Sequence, residues 1–186
     1  AGNGSRIYPV CNPTNGGAPL MSFGTLAINT QAAIRADGRG YPMGFGEGRS
    51  LPDNQRAGGG GHGGPGGKGV YGALGGIAYG SSNAPVPPGS PPGKNTYISA
   101  VPKWGGGVVR IEADEFWLNN GTVVAGAEPG DAAAGGSIWI TAGTFGGAGG
   151  TLSANGGNSP DVTRAGGGGG GRIAIVYTNA SAQQAL

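Results

Sequence analysis

The sequence predicts an all-β fold: a short parallel β-solenoid, β-helix-like, with glycine-rich polyglycine or polyproline-II-like segments and a long loop insertion. Three observations predict it. A strand pattern recurs along the chain at a near-constant offset. Glycine accounts for 46 of the 186 residues and proline for 14. Charged residues make up only 11%, against roughly 25% in an average domain.

So much glycine and proline would by itself point to low complexity or disorder. Leu, Ile, Val and Phe together number 31, too few for an ordinary packed core. Disordered chains, however, stay open through charge and its solvation, and this chain carries a net charge of only +2. Its backbone presents a dense array of N–H and C=O groups, which must be paired wherever they are buried. Main-chain hydrogen bonding is therefore expected to hold much of the fold.

The repeat carries the strand assignment. Gly107-Val108-Val109-Arg110-Ile111-Glu112-Ala113 matches Gly136-Ser137-Ile138-Trp139-Ile140-Thr141-Ala142 at an offset of 29 residues. With no gap, that offset pairs Phe116 with Phe145, Thr122 with Thr151 and Val123 with Leu152. A third partial copy, Arg172-Ile173-Ala174-Ile175-Val176-Tyr177, follows after a longer connection. A degenerate copy lies near the start, with Gly24–Asn29 as first strand and Ala33–Gly38 as second.

Alternation marks a half-buried strand. It puts Val109, Ile111 and Ala113 on one face and Arg110 and Glu112 on the other. Stacking copies would build a core ladder of Val109, Ile138 and Ile173, and of Ile111, Ile140 and Ile175, with Phe116 over Phe145. Ala113 over Ala142 would suit a narrow corner, and the short second strands end at Asp37-Gly38 and Asn155-Gly156, turn signals that favour positive φ.

One domain, 1–186, is expected. It comprises an N-terminal arm (1–22), repeat copies near 24–38, 106–134, 135–170 and 171–179, and an insertion over 39–105. The runs Gly58–Gly69 and Gly166–Gly171 read as extended strands lying side by side, since nothing projects from a glycine Cα. Ser81–Gly93, with five prolines, reads as a long loop or arm. The Ala-rich tail after Asn179 offers the one candidate helical turn.

Few residues suggest chemistry. Cys11 is the only cysteine, which excludes an intrachain disulfide, and His62 is the only histidine, which excludes a multi-histidine metal site. Glu112, Asp114 and Glu115 form the densest carboxylate cluster, but the next copy has Thr141, Gly143 and Thr144 there. No cofactor is expected, calcium at this cluster being the alternative. Gly-x-Gly-x-x-Gly matches arise by composition and none joins a strand to a helix. The chain is not expected to be an enzyme.

Basic residues are scattered, so no nucleic acid partner is expected, and no apolar stretch is long enough to span a membrane. Tyr8, Trp104, Trp117, Trp139 and Tyr177 are the candidates for interface or ligand contact; Tyr71, Tyr79 and Tyr97 lie in the insertion. Trp139 alternates with Ile138 and Ile140 and is expected to face outward. Outward aromatics stack on sugar rings or anchor protein interfaces.

The run GGSIWITAGTFGGAGGTLSANGG, followed by AGGGGGGRIAIVY, resembles glycine-rich repeats of very large secreted or surface proteins of bacteria. The resemblance covers residues 106–177 and, more loosely, 24–38. By composition, the glycine runs are also similar to the polyglycine-II bundles of phage tail-tip adhesins and of the extracellular region of anaplastic lymphoma kinase. The resemblance implies an extracellular or cell-surface location and a structural or adhesive role, with no catalytic residues.

The repeat itself points the same way. The third copy supplies a first strand with no polar cap after it, and an open strand is a template for pairing. The expected function is a structural subunit of a self-assembling filament, fibre or surface layer, with copies of itself as partners end to end. The N-terminal segment Arg6–Val10 is expected to dock on a neighbour. The alternative is an adhesin or carbohydrate-binding module whose partners are surface glycans.

Overall fold

In the computed structural model of the chain, residues 4–50, 58–93, 103–130, 132–159 and 166–179 are described. They form an almost all-β structure of two parallel sheets, with no α-helix and a single 3-10 turn at Val70–Gly72. The strands are β1 (Arg6–Ile7), β2 (Leu20–Ile28), β3 (Ala33–Arg35), β4 (Val108–Asn119), β5 (Thr122–Val124), β6 (Ser137–Gly146), β7 (Thr151–Ser153) and β8 (Arg172–Tyr177). A short sheet runs β1-β3-β5-β7 and a long sheet runs β2-β4-β6-β8. Successive strands thus alternate between the sheets, and each passage of the chain lays one strand on each. The proposed helical turn after Asn179 falls outside the described residues.

The repeat predicts the register over most of its length. Val109 lies beside Ile138 and Ile111 beside Ile140. Ile138 in turn lies beside Ile173, and Ile140 beside Ile175. In the short sheet Ile34, Val123 and Leu152 form one row. The inner faces of both sheets pack into a single cluster that includes Ile28, Ile34, Ile111, Trp117, Val123 and Ile140. Val109, Ile111, Ile138 and Ile140 are fully enclosed, and Phe145 is buried. At the last strand the cover thins: Ile175 is half-buried and Ile173 is 43% exposed.

Several expectations are corrected. β4 does not turn at Ala113 but continues to Asn119, so Ala113 over Ala142 marks no corner. Between Ala113 and Phe116, β4 holds one residue more than either neighbour, a β-bulge. Phe116 consequently lies beside Thr144, and Trp117 takes the place beside Phe145. Their rings are 4.6 Å apart, tilted by 32°. Gly143 lies beneath the bulge, where a Cβ would overlap the Glu115 carbonyl oxygen. Counted from the paired residues Leu118 and Gly146, the connection after β6 is one residue longer than that after β4, which restores Thr122 beside Thr151. A gapless offset cannot register a bulge that the next turn cancels.

Near the start, β2 begins at Leu20, and Leu26 lies beside Trp117 rather than Val109. The N-terminal segment is no free arm, since β1 pairs with β3 of its own chain. Gly38 takes the expected positive φ of 57°, whereas Gly156 does not.

The glycine runs form an array of their own. Amides of Gly59, Gly60 and Gly61 donate to carbonyls of Gly67, Ala132 and Gly48 at 2.8–3.0 Å. Carbonyls of Gly58, Gly59 and Gly60 accept from Gly93, Gly76 and Gly169 at 2.8–3.3 Å. Three successive peptide groups thus bond to six flanking segments, the behaviour of an extended chain with three residues per turn. A β-strand reaches two neighbours.

None of these glycines needs a positive φ; close approach is what requires them. A Cβ at Gly59 would overlap the Gly167 carbonyl, and one at Gly60 that of Ser90. The described part of the insertion is therefore built into the body. Even the proline-rich stretch is anchored, with Pro85 and Pro88 buried and Gly89 donating to Gly106 at 2.8 Å.

Candidate functional site

Where the glycine array meets the long sheet, one polar cluster is enclosed. His62 extends from the central glycine run and is fully buried, as are Ser137 at the start of β6 and Ser90. The run places the imidazole: its neighbours are glycines, so nothing beside it competes for the space. His62 Nδ1 is 2.8 Å from the Gly135 carbonyl oxygen. A carbonyl only accepts, so Nδ1 carries the proton and Nε2 is bare.

Nε2 faces Ser137 Oγ at 3.4 Å, while that hydroxyl donates to the Pro87 carbonyl at 2.6 Å. The Tyr79 ring is tilted against the imidazole, centroids 4.9 Å apart. Its hydroxyl donates to the Pro88 carbonyl and lies 2.8 Å from Ser90 Oγ, which accepts from the Gly48 amide at 3.1 Å. Arg172 of β8 donates from Nε to the Tyr79 carbonyl at 3.0 Å.

Burial depresses the His62 imidazole to about 4, and the Arg172 charge adds to the effect against the opposing hydrogen bond to Gly135. The Tyr79 phenol is pushed up, also chiefly by burial. In composition the cluster is a serine beside a histidine, but the serine proton is committed to Pro87 and both groups are enclosed. It can tie segments together; it offers no nucleophile to a substrate. Cys11 is likewise buried, and burial raises its thiol to about 11, so it stays protonated at neutral pH.

The aromatic candidates are dispersed. Trp117, expected at the surface, is fully buried in the core. Trp139 does alternate with buried Ile138 and Ile140, but Arg110 covers it, the guanidinium carbon 5.3 Å from the ring centroid. Arg110 Nε and Trp139 Nε1 are both buried without a hydrogen-bond partner among the described residues.

Trp104 is half-buried and bridges to Pro42. Tyr8 is 49% exposed, with the Arg39 guanidinium 4.9 Å from its ring. It lines a 220 Å³ pocket with Arg35, Asp37 and Glu128. Tyr177 ends β8 and is 46% exposed. Tyr79 is buried and Tyr97 lies outside the described residues.

Glu112, Asp114 and Glu115 are exposed on the outer face of β4, the last two at the bulge. Glu112 and Asp114 border a 240 Å³ depression with Thr141 and Thr178. Among the described residues, no group of three or more His, Cys, Asp or Glu side chains is arranged to hold a metal ion.

A further cleft lies at the last strands. β8 pairs with Ser137–Ala142 of β6, and Thr144–Gly146 extend past its described end. There a cleft of about 460 Å³ opens between Phe145, Leu152, Ile175, Asn119 and the turn over 146–150. On β8, Ile173, Val176 and Tyr177 are 43–46% exposed. Sequence reasoning missed both the buried cluster and this cleft. The serine and tyrosine partners of His62 are far away in sequence, and no local pattern joins them.

No family model, curated protein or solved structure matches the chain. Among the described residues, no helix is long and apolar enough to cross a membrane.

Proposed function

We propose that the chain is an extracellular structural protein that stacks end to end into a filament, fibre or surface layer, without catalytic activity. In this reading the two sheets are the faces of a short β-solenoid. The segments around Gly58–Gly64 form a polyglycine-II-like bundle along its side.

The observation that carries the reading is the parallel order of both sheets, together with the apolar exposure at their outer strands. β7 and β8 stand last in the two sheets; β1 and β2 stand first and run in the same direction. A second copy can set β1 and β2 beside the first copy's β7 and β8 and continue both sheets without reversing a strand. Its Met21 would then extend the row of Ile111, Ile140 and Ile175. Leu20, 45% exposed on β2, and Ile173 and Val176 on β8 would be covered in the process. A head-to-tail contact of this kind does not close on itself and propagates.

The glycan-binding alternative has less support. Trp117 is in the core and the Trp139 face is occupied by Arg110. Tyr8 follows β1 at the first edge of one sheet, and Tyr177 ends β8 at the last edge of the other.

Sedimentation velocity over a wide concentration range, with electron microscopy of the same samples, tests the proposal. End-to-end oligomers that lengthen with concentration are expected. The double variant Ile173→Lys, Val176→Lys should suppress them while leaving the fold intact, because lysine on an edge strand blocks further pairing. A wild-type chain that stays monomeric at high concentration contradicts the proposal.

A further inference from the structure

We infer that His62 is an acid-sensitive latch joining the glycine array to the long sheet. The argument begins with position. His62 lies in the central glycine run, whose amides and carbonyls hold six flanking segments. Its ring reaches across to Gly135 and Ser137, at the entry to β6. Tyr79, packed on that ring, connects through its hydroxyl to Pro88 and Ser90 and through its carbonyl to Arg172 of β8. One imidazole therefore stands where the central run, the stretch 79–90, β6 and β8 converge.

The surroundings are built for the neutral ring. In its own run, residues 58–61 and 63–64 are glycine, and Lys68 further along is not among the charges acting on the ring. From 79–90 it meets the neutral Tyr79; from β6, the Ser137 hydroxyl and the Gly135 carbonyl that precedes it. From β8 the charge acting on it is the Arg172 guanidinium, of like sign to an imidazolium. Glu47 and Tyr41 act on Tyr79 rather than on His62.

A proton on Nε2 would thus create a fully enclosed cation beside another cation, with no carboxylate among the groups that act on it. The folded ring resists protonation to about 4, against 6.5 for a free imidazole. Between those values the unfolded chain binds the proton and the folded one does not. Stability from this site is therefore complete above pH 6.5 and is lost as pH falls towards 4.

Because His62 is the only histidine, its ring resonances are unambiguous in a two-dimensional NMR titration. The ring should remain neutral well below pH 6 and become protonated near pH 4, together with loss of native shifts for amides of residues 58–64. In parallel, the gap between the thermal unfolding midpoints of the wild type and His62→Gln should narrow between pH 6.5 and 4. The wild type should fall more steeply with acid. If His62→Gln does not fold, the wild-type ring titration decides alone. A ring that titrates near 6.5 with the fold intact overturns the latch.

Discussion

A single methyl group at position 59 discriminates between an ordered glycine array and a flexible one. Gly59→Ala places a Cβ against the Gly167 carbonyl, backbone that cannot swing aside. The expected destabilisation is about 3 kcal/mol or more. Gly170→Ala, where nothing lies within 4 Å, should cost under ~1 kcal/mol. Urea denaturation of the two variants checks the contrast, and equal effects would mean the array is loose.

The two glycines are indistinguishable in sequence, because what separates them is a neighbour more than a hundred residues away. Trp117 was more legible than its assignment implied. The alternation that begins at Val109 points residue 117 inward, but Asp114 and Glu115 interrupt the apolar pattern and conceal it. His62 was visible as the only histidine, yet its burial depends on partners at 79, 90, 135 and 137.

Among the elements, β4 and β6 owe their position to side chains and the returns owe theirs to the backbone. Ile140 is fully enclosed between Ile111 and Ile175. Ile140→Ala should cost about 2–5 kcal/mol. Ile173 stands in an equivalent row on β8 but is 43% exposed, so Ile173→Ala should cost less than half as much. Thermal or urea unfolding of both variants checks the ratio, and a larger loss at Ile173 would require cover on β8 that the account does not contain.

The repeat made these rows readable, since a period of 29 residues with alternating aliphatics needs stacking to bury its apolar face. It misplaced Phe116 because a bulge in β4 and a longer turn after β6 cancel over one copy. It also misplaced β2, where Gly24 imitates the glycine that precedes the other first strands.

The whole molecule combines two modes of cohesion. Between the sheets a modest aliphatic core is buried in rows, and beside them glycine segments bond to one another in several directions. The low content of large apolar residues and the scarcity of charge both anticipated a fold held by its main chain. What composition could not convey is that the insertion is part of that array: Gly58–Gly76 pairs with 132 and with 167, 169 and 170, so residues distant in sequence complete one network. In the proposed assembly, β7 and β8, last in the two sheets, give the stack a direction in which to grow.

Native-state hydrogen exchange, resolved by residue, tests this most directly. The amides of Gly59, Gly60, Gly61, Gly67 and Gly169 should be protected to an extent approaching that of Ile111 and Ile140, since all should open only in large-scale unfolding. Exchange of those glycine amides at the rate of an unstructured peptide, with β4 and β6 still protected, would contradict the account.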